Sequence, residues 1–184
     1  RPAVFTRLAA EIAALVDAGH SVVVISSAAV AAGVAALGLP ERPEALAAKQ
    51  ACAAVGQSQL MRAYEEAFAG HELTAAQLLL THGDIDSRQR RRNAENTLRE
   101  LHAFPRVVPV INENDSIAVE ELRFGDNDKL GAEVALLCGA DLFLILTGSD
   151  GLQGEGRRIP HVADLDEVRH HVTGEKGRHG TGGM

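Results

Sequence analysis

Short β-branched or leucine-rich runs alternate along this chain with helical stretches of ten residues or more, and each run ends in a polar cluster. The runs cover residues 21–25, 77–81, 107–111 and 141–147. The clusters at their ends are Ser26-Ser27, Thr81, Asn112-Glu113-Asn114-Asp115 and Thr147-Gly148-Ser149-Asp150. Antiparallel strands can be joined by tight turns, whereas parallel neighbours need a long crossover, usually a helix. The alternation therefore predicts an α/β fold, a three-layer α/β/α sandwich around a mainly parallel sheet. In such sheets ligands bind beyond the carboxyl ends of the strands. The clusters mark that edge without naming the ligand.

Between the runs, Leu8, Ile12, Leu15 and Val16 recur at helical spacing, and Gly19 stands where a helix C-cap belongs. An Ala-rich helix breaks at Gly38-Leu39-Pro40, and a long helix is expected over 44–69. Asp86 or Ser87 can cap a helix running to about His102, with Leu98 and Leu101 facing inward. A further helix covers about 128–138 and closes at Gly139; a weak one is expected near 164–171. Val119 to Leu122 suggests a small hairpin. Pro109 predicts an early position or a bulge, because proline cannot donate to a ladder. The stretch 141–147 reads as the clearest strand. No repeat and no linker divides the chain, so residues 1–184 are taken as one domain.

Apolar residues make up 46% of the chain but aromatics only 3%, with no Trp, so the core must be built from Ala, Val, Leu and Ile. A net charge of −7 argues against a general nucleic-acid or membrane-surface binder. Cys52 and Cys138 sit in apolar helical patterns without paired spacing and read as core residues of a cytosolic protein. No apolar run reaches the ~18–20 residues that span a bilayer, and no signal peptide is visible. A cytoplasmic location is therefore expected. Arg88, Arg90, Arg91 and Arg92 read as a solvated face paired with nearby carboxylates. His161, His170, His171 and His179 match no metal-ligand template, so no metal site is assigned to them.

Two clusters hold the chemistry. Asn112 to Asp115 is either a turn, which Asn and Asp favour for backbone reasons, or a binding group at the sheet edge. Gly125-Asp126-Asn127-Asp128 is either an N-cap or the second half of that group. A carboxylate there can receive an ammonium, and amides with helix-start N–H groups can hold anionic oxygens. The terminal Gly180-Thr181-Gly182-Gly183-Met184 is either flexible chain or a loop whose N–H groups cradle phosphate. Neither a P-loop nor a dinucleotide fingerprint occurs.

Taken together, Ser26 to Gly33, Lys49-Gln50-Ala51, Ala54 to Gln57, Leu79 to Thr81, Asn93-Ala94 with Thr97-Leu98, Val108 to Asp115, Phe124 to Asp128 and Gly180 to Met184 fall in an order that resembles the glutamate 5-kinases, within the amino-acid kinases. The resemblance covers essentially the whole chain. It implies transfer of the γ-phosphoryl group of ATP to the side-chain carboxylate of L-glutamate, with Mg²⁺ held mainly by ATP phosphates and water. It places glutamate on Ser27, Asp115 and Asn127, with Asp115 on the ammonium. Asp128 would serve the catalytic centre. The nucleotide would lie on Thr147, Gly148, Thr181, Gly182, Gly183 and Met184. A homo-oligomer, feedback inhibition by proline, and no nucleic-acid or membrane partner are further implications.

Against the family pattern, Ala28 replaces a usual glycine, Gly148 a usual aspartate, and Gln153 and Gly156 a usual tyrosine and aspartate. The family's first, lysine-bearing strand and a second lysine are expected outside residues 1–184. On that basis the isolated chain is expected to turn over slowly or not at all. A non-catalytic glutamate-binding module, or a kinase for another amino-acid carboxylate, are the alternatives.

Overall fold

Residues 107–113 form the strand on which the other elements converge. The computed structural model describes residues 2–118, 126–154, 157–164, 166 and 168. Its main sheet is parallel, in the order β1 (Val24–Ile25), β3 (Val107–Glu113), β2 (Thr74–Leu80). The helices are α1 (Pro2–Asp17), α2 (Ala29–Ala36), α3 (Leu46–Ala69), α4 (His82–Asp86), α5 (Arg88–Ala103) and α6 (Asp126–Cys138). A short antiparallel pair, β4 (Gln153–Gly154) and β5 (Arg157–Arg158), follows. The expected hairpin at 119–122 lies outside the described residues, as does most of the expected helix at 164–171.

Alternation along β3 divides the core in two, because successive strand side chains face opposite sides. Val108 and Val110 join Ile12, Cys52, Tyr64 and Phe68 on the side of α1 and α3. Ile111 joins Leu80, Leu98, Leu130 and Val134 on the side of α5 and α6. This is the predicted helix–sheet–helix layering, and three aromatic rings meet on the α1/α3 side: Phe5 meets Tyr64 edge-on at 5.0 Å, and Tyr64 meets Phe68 at 5.7 Å. Gly19 and Gly139 both take positive φ, as residues that end α1 and α6. Both cysteines are free, and Cys52 is buried. Among the described residues no helix is long and apolar enough to cross a membrane.

Two expectations are corrected, and a third is met in position but not in its bonding. Pro109 lies in the middle strand of the sheet, in an unbroken register opposite Ala76. The hydrogen bonds explain why it is tolerated. The Ile111 carbonyl accepts from Ser26 N–H, and Asn114 N–H donates to the Leu80 carbonyl. Odd-numbered residues of β3 therefore direct their backbone groups at β1 and even-numbered ones at β2. The donor that Pro109 lacks would have faced β1 opposite Val23, one residue before that strand begins pairing at Val24.

Secondly, residues 141–147 are not a ladder strand. Leu142, Leu144 and Leu146 are 78%, 69% and 74% exposed, and no strand among the described residues pairs with them. Hydropathy alone cannot make a strand; a partner with free N–H and C=O groups must lie alongside. Phe143 touches α6, its ring resting where a side chain on Gly131 would stand. Thirdly, Ser87 is the N-cap of α5 but makes no side-chain cap bond, and Asp86 ends α4 instead. The cap that does form is at α4, a helix absent from the expectation. Thr81 and Asp84 exchange bonds there in a capping box.

Among the described glycines, the closest approaches to other backbone join α2 to α3. A Cβ on Gly33 would fall 1.8 Å from the Cys52 carbonyl oxygen, and one on Gly56 would fall 1.8 Å from that of Ala29. Both obstacles are backbone, so neither can rotate away. Gly56 sits mid-helix, where Ala would favour the helix by about 1 kcal/mol. The clash outweighs that gain. Gly56→Ala is expected to destabilise the fold by roughly 2 kcal/mol or more, read as a lower denaturation midpoint. A variant as stable as the parent would show that α2 can slide off α3.

Candidate functional site

Beyond the carboxyl ends of β1 and β3 the chain makes two turns that are held from beneath by buried polar contacts. Ser26, just past β1, is 6% exposed and donates its N–H to the Ile111 carbonyl. Its hydroxyl receives the Tyr64 hydroxyl from α3 at 3.1 Å. Burial pushes the Tyr64 phenol pKa up, against the opposing pull of that bond. Ser27 follows, exposed, at the same edge. Ala28 then takes φ 83°, ψ 8° before α2 starts. Its side chain is exposed. Within the chain Ala28 therefore acts through its backbone conformation.

At the end of β3, Asn112 and Glu113 are 1% and 7% exposed. Asn112 Oδ1 accepts the Glu113 N–H at 2.9 Å, and Asn112 Nδ2 donates to Gln57 Oε1 at 2.9 Å. The next loop is pinned at several points. Asn114 N–H reaches the Leu80 carbonyl, Ile117 and Ala118 N–H both reach the Asn114 carbonyl, and Ser116 Oγ donates to Asn114 Oδ1 at 2.7 Å. Gln50 Nε2 ties the far end down through the Ala118 carbonyl at 3.0 Å. Asp115 sits half-buried in this loop. It lines a cleft of about 220 Å³ with Gln57, Asn114 and Ser116, and Ala29 and Ala53 are among its apolar walls. A wider hollow of about 610 Å³ runs along α5 beside Arg88, Arg91, Arg92 and Arg99 and contains no strand-end residue. Arg90 and Arg99 on this helix meet Asp84 and Glu95, as a solvated charged face requires.

The other expected residues fall at separate points. Gly131 of α6 is level with Ile25, the last residue of β1, since a Cβ there would come 3.5 Å from Ile25 Cγ1. The first turn of α6, with Asn127 and Asp128, is therefore within a turn of the sheet's carboxyl edge. Asn127 Oδ1 is buried and has no hydrogen-bond partner among the described residues. Asp128 is exposed. Neighbouring Lys129 leans on Glu133, which also holds His82 Nδ1 at 2.9 Å. Ser27, Asn127 and Asp128 do not line the cleft that holds Asp115.

Thr147 and Gly148 are exposed. Ser149 N–H donates to Thr147 Oγ1, and space around Gly148 is open. Thr181, Gly182, Gly183 and Met184 lie outside the described residues. Among the described residues no group of three or more His, Cys, Asp or Glu could hold a metal ion. Thr81, first read as part of the binding edge, is consumed by its cap: its N–H and hydroxyl both bond Asp84. Burial pushes the Asp84 carboxyl up, but the Thr81 bonds and Arg90 outweigh it and leave it below the ordinary range.

Sequence reasoning missed the supports: Tyr64, Ser26 as a buried anchor, and Gln57 as the partner of Asn112. The available signal was Gly56. A glycine inside a helical pattern marks a close approach, and its neighbour Gln57 is carried to the sheet edge by that approach.

The family described as the amino acid kinase family matches residues 1–184. A glutamate 5-kinase of Geobacter sp. (strain M21) is 50% identical over 191 residues, covering 100% of this chain and 51% of the relative. Glutamate 5-kinases of Carboxydothermus hydrogenoformans and Thermus thermophilus are 46% and 48% identical, covering 99% and 96% of this chain and 51% and 49% of the relatives. The chain thus spans about half the length of the curated relatives it matches.

A left-handed conformation costs a non-glycine residue about 1–2 kcal/mol. Ala28→Gly is therefore expected to stabilise the protein by up to about 1 kcal/mol after the entropy of glycine is subtracted, raising Tm by roughly 2–4 °C. A thermal melt checks this; an unchanged or lower Tm would mean that the turn relaxes to negative φ in solution.

Proposed function

Because this chain belongs to the amino acid kinase family, we propose that it forms the glutamate-binding part of a glutamate 5-kinase, which transfers the γ-phosphoryl group of ATP to the side-chain carboxylate of L-glutamate. The observation that carries the reading is Asp115, half-buried in a small cleft at the end of the central strand, in a loop pinned by backbone bonds on both sides. A carboxylate so held suits a substrate ammonium, because charge-assisted contacts gain most where geometry is fixed beforehand. Asn127 supports it. An unpaired buried acceptor costs about 1–3 kcal/mol, and a ligand donor would relieve that cost. Ser27 completes the proposed substrate set.

In the reaction, an oxygen of the substrate's side-chain carboxylate forms a bond to the γ-phosphorus while the bond to the bridging oxygen of ADP breaks. The protein's task is to align two anions and meet the moving charge. Asp128 is proposed to organise cationic groups at the transferring centre. Thr147 and Gly148, exposed with open space above the glycine, are proposed to carry the nucleotide with Thr181, Gly182, Gly183 and Met184. Mg²⁺ would neutralise phosphate charge, with phosphates and water as its main ligands. The reading brings with it a cytoplasmic, homo-oligomeric enzyme inhibited by proline. The binding-only alternative draws on Gly148 and on the Thr147 hydroxyl, already engaged by Ser149. Glutamate-dependent ADP release by the full-length protein separates the two.

Asp115→Asn keeps the side chain's shape and removes its charge. A charge-assisted contact is worth about 1.5–3 kcal/mol, so L-glutamate affinity is expected to fall roughly tenfold to a hundredfold. Glutarate, which lacks the amino group, should bind as before, and so should ATP. Calorimetric titration of the full-length protein provides the measurement, with a melt as control. Equal weakening for glutamate and glutarate would make Asp115 a turn residue and displace the pocket.

A further inference from the structure

We propose that Gln57 is a substrate-binding residue, its side-chain amide donating to the α-carboxylate of the amino acid whose ammonium meets Asp115. The inference rests on the glutamate-binding reading above and adds to it a specificity group on α3. The two ends of a side-chain amide are alike in shape, so their orientation must be deduced from the network around them. Here that network begins at a group of fixed polarity. The Glu113 backbone N–H can only donate, and it meets one end of the Asn112 amide at 2.9 Å. That end must be Oδ1. The other end, Nδ2, can only donate, and it meets Gln57 at 2.9 Å. Gln57 must therefore turn its oxygen inward, toward Asn112.

Its NH₂ group is what remains for the cleft. Gln57 lines that cleft together with Asp115, Asn114 and Ser116. Asn112 is 1% exposed, so the relay cannot be reversed by water. Nor can α3 move Gln57 aside, because the adjacent Gly56 is locked against the Ala29 carbonyl. The cleft thus presents two carboxylates, Asp115 and the nearly inaccessible Glu113, beside the polar side chains of Asn114 and Ser116, and Gln57 adds a neutral donor of defined direction. In an α-amino acid the ammonium and α-carboxylate share one carbon, so a site for the first needs a donor for the second within a bond or two. Asp115 and Gln57 provide that pair. A γ-carboxylate bound for phosphorylation would then extend out of the cleft.

The test uses the full-length protein, two variants and two ligands at about pH 8, well above ordinary carboxylate pKa values. Gln57→Glu keeps an oxygen for Asn112 Nδ2 and removes the donor facing the cleft. Gln57→Met removes both. L-glutamate α-amide (isoglutamine) keeps the ammonium and side-chain carboxylate but has no α-carboxylate. If the inference holds, Gln57→Glu melts near the parent temperature yet binds L-glutamate at least about tenfold more weakly, while isoglutamine binding is spared or improved. Gln57→Met loses L-glutamate affinity likewise, and its melting temperature falls because Asn112 Nδ2 is left unpaired. If Gln57 only supports Asn112, the weakening by Gln57→Glu reflects its added charge alone, and the neutral Gln57→Met weakens L-glutamate and isoglutamine equally; equal weakening of the two ligands by Gln57→Met overturns the inference. Failure of the parent protein itself to bind L-glutamate would instead overturn the glutamate reading, and this inference with it.

Discussion

Two carbonyl oxygens, those of Ala29 and Cys52, rest where the side chains of Gly56 and Gly33 would be. That contact between α2 and α3 is the constraint from which the binding edge follows. Because α2 begins directly after the Ser26-Ser27 turn, locking it to α3 fixes where that turn lies. Because α3 also carries Gln57 and Tyr64, the same lock sets two side chains against the ends of β3 and β1. Van der Waals contact between backbones leaves no rotamer to adjust, so the positions are defined more narrowly than side-chain packing alone would define them.

Buried polar groups are the second element. Ser26, Asn112 and Glu113 are all nearly inaccessible at the ends of strands, where an apolar residue would cost nothing to bury. Each polar side chain left unpaired would cost about 1–3 kcal/mol, whereas a satisfied network costs little and has one low-energy arrangement. Tyr64 satisfies Ser26, and Gln57 with the Glu113 N–H satisfies Asn112. The result is an edge whose side chains are oriented before any ligand arrives. Asn127 is the contrast, since its buried oxygen is left without a partner among the described residues.

The layers and most helices were legible because they depend on local periodicity and on the length of crossovers. Val107–Glu113 and Leu46–Ala69 emerged close to their expected bounds for that reason. What the sequence concealed depended on partners. Pro109 looked unfit for a central strand, yet only one side of β3 needs a donor there, and the neighbour on that side has not begun pairing. Residues 141–147 had the strongest strand composition and still have no partner strand among the described residues, because a strand is a property of two segments. At the site, the polar strand ends announced an edge, and Asp115 was found in a cleft there. Gln57 and Tyr64 stayed hidden because a helix of many alanines shows no clear apolar face from which to infer which residues point inward.

On the proposed reading, local chemistry also reconciles a net charge of −7 with an anionic ligand. A zwitterionic head group needs one carboxylate and one donor, held close together. A cationic donor at position 57 would face Asp115 across the cleft and could pair with it, closing the site and adding the desolvation of two charges. A neutral amide cannot neutralise Asp115 in that way, and its direction is set by Asn112 behind it. On the proposed reading the Gln57 amide serves as the donor and the Asp115 carboxylate as the partner of the ammonium. Placement of a few dipoles on rigid elements, rather than the sign of the whole surface, decides what such a cleft accepts.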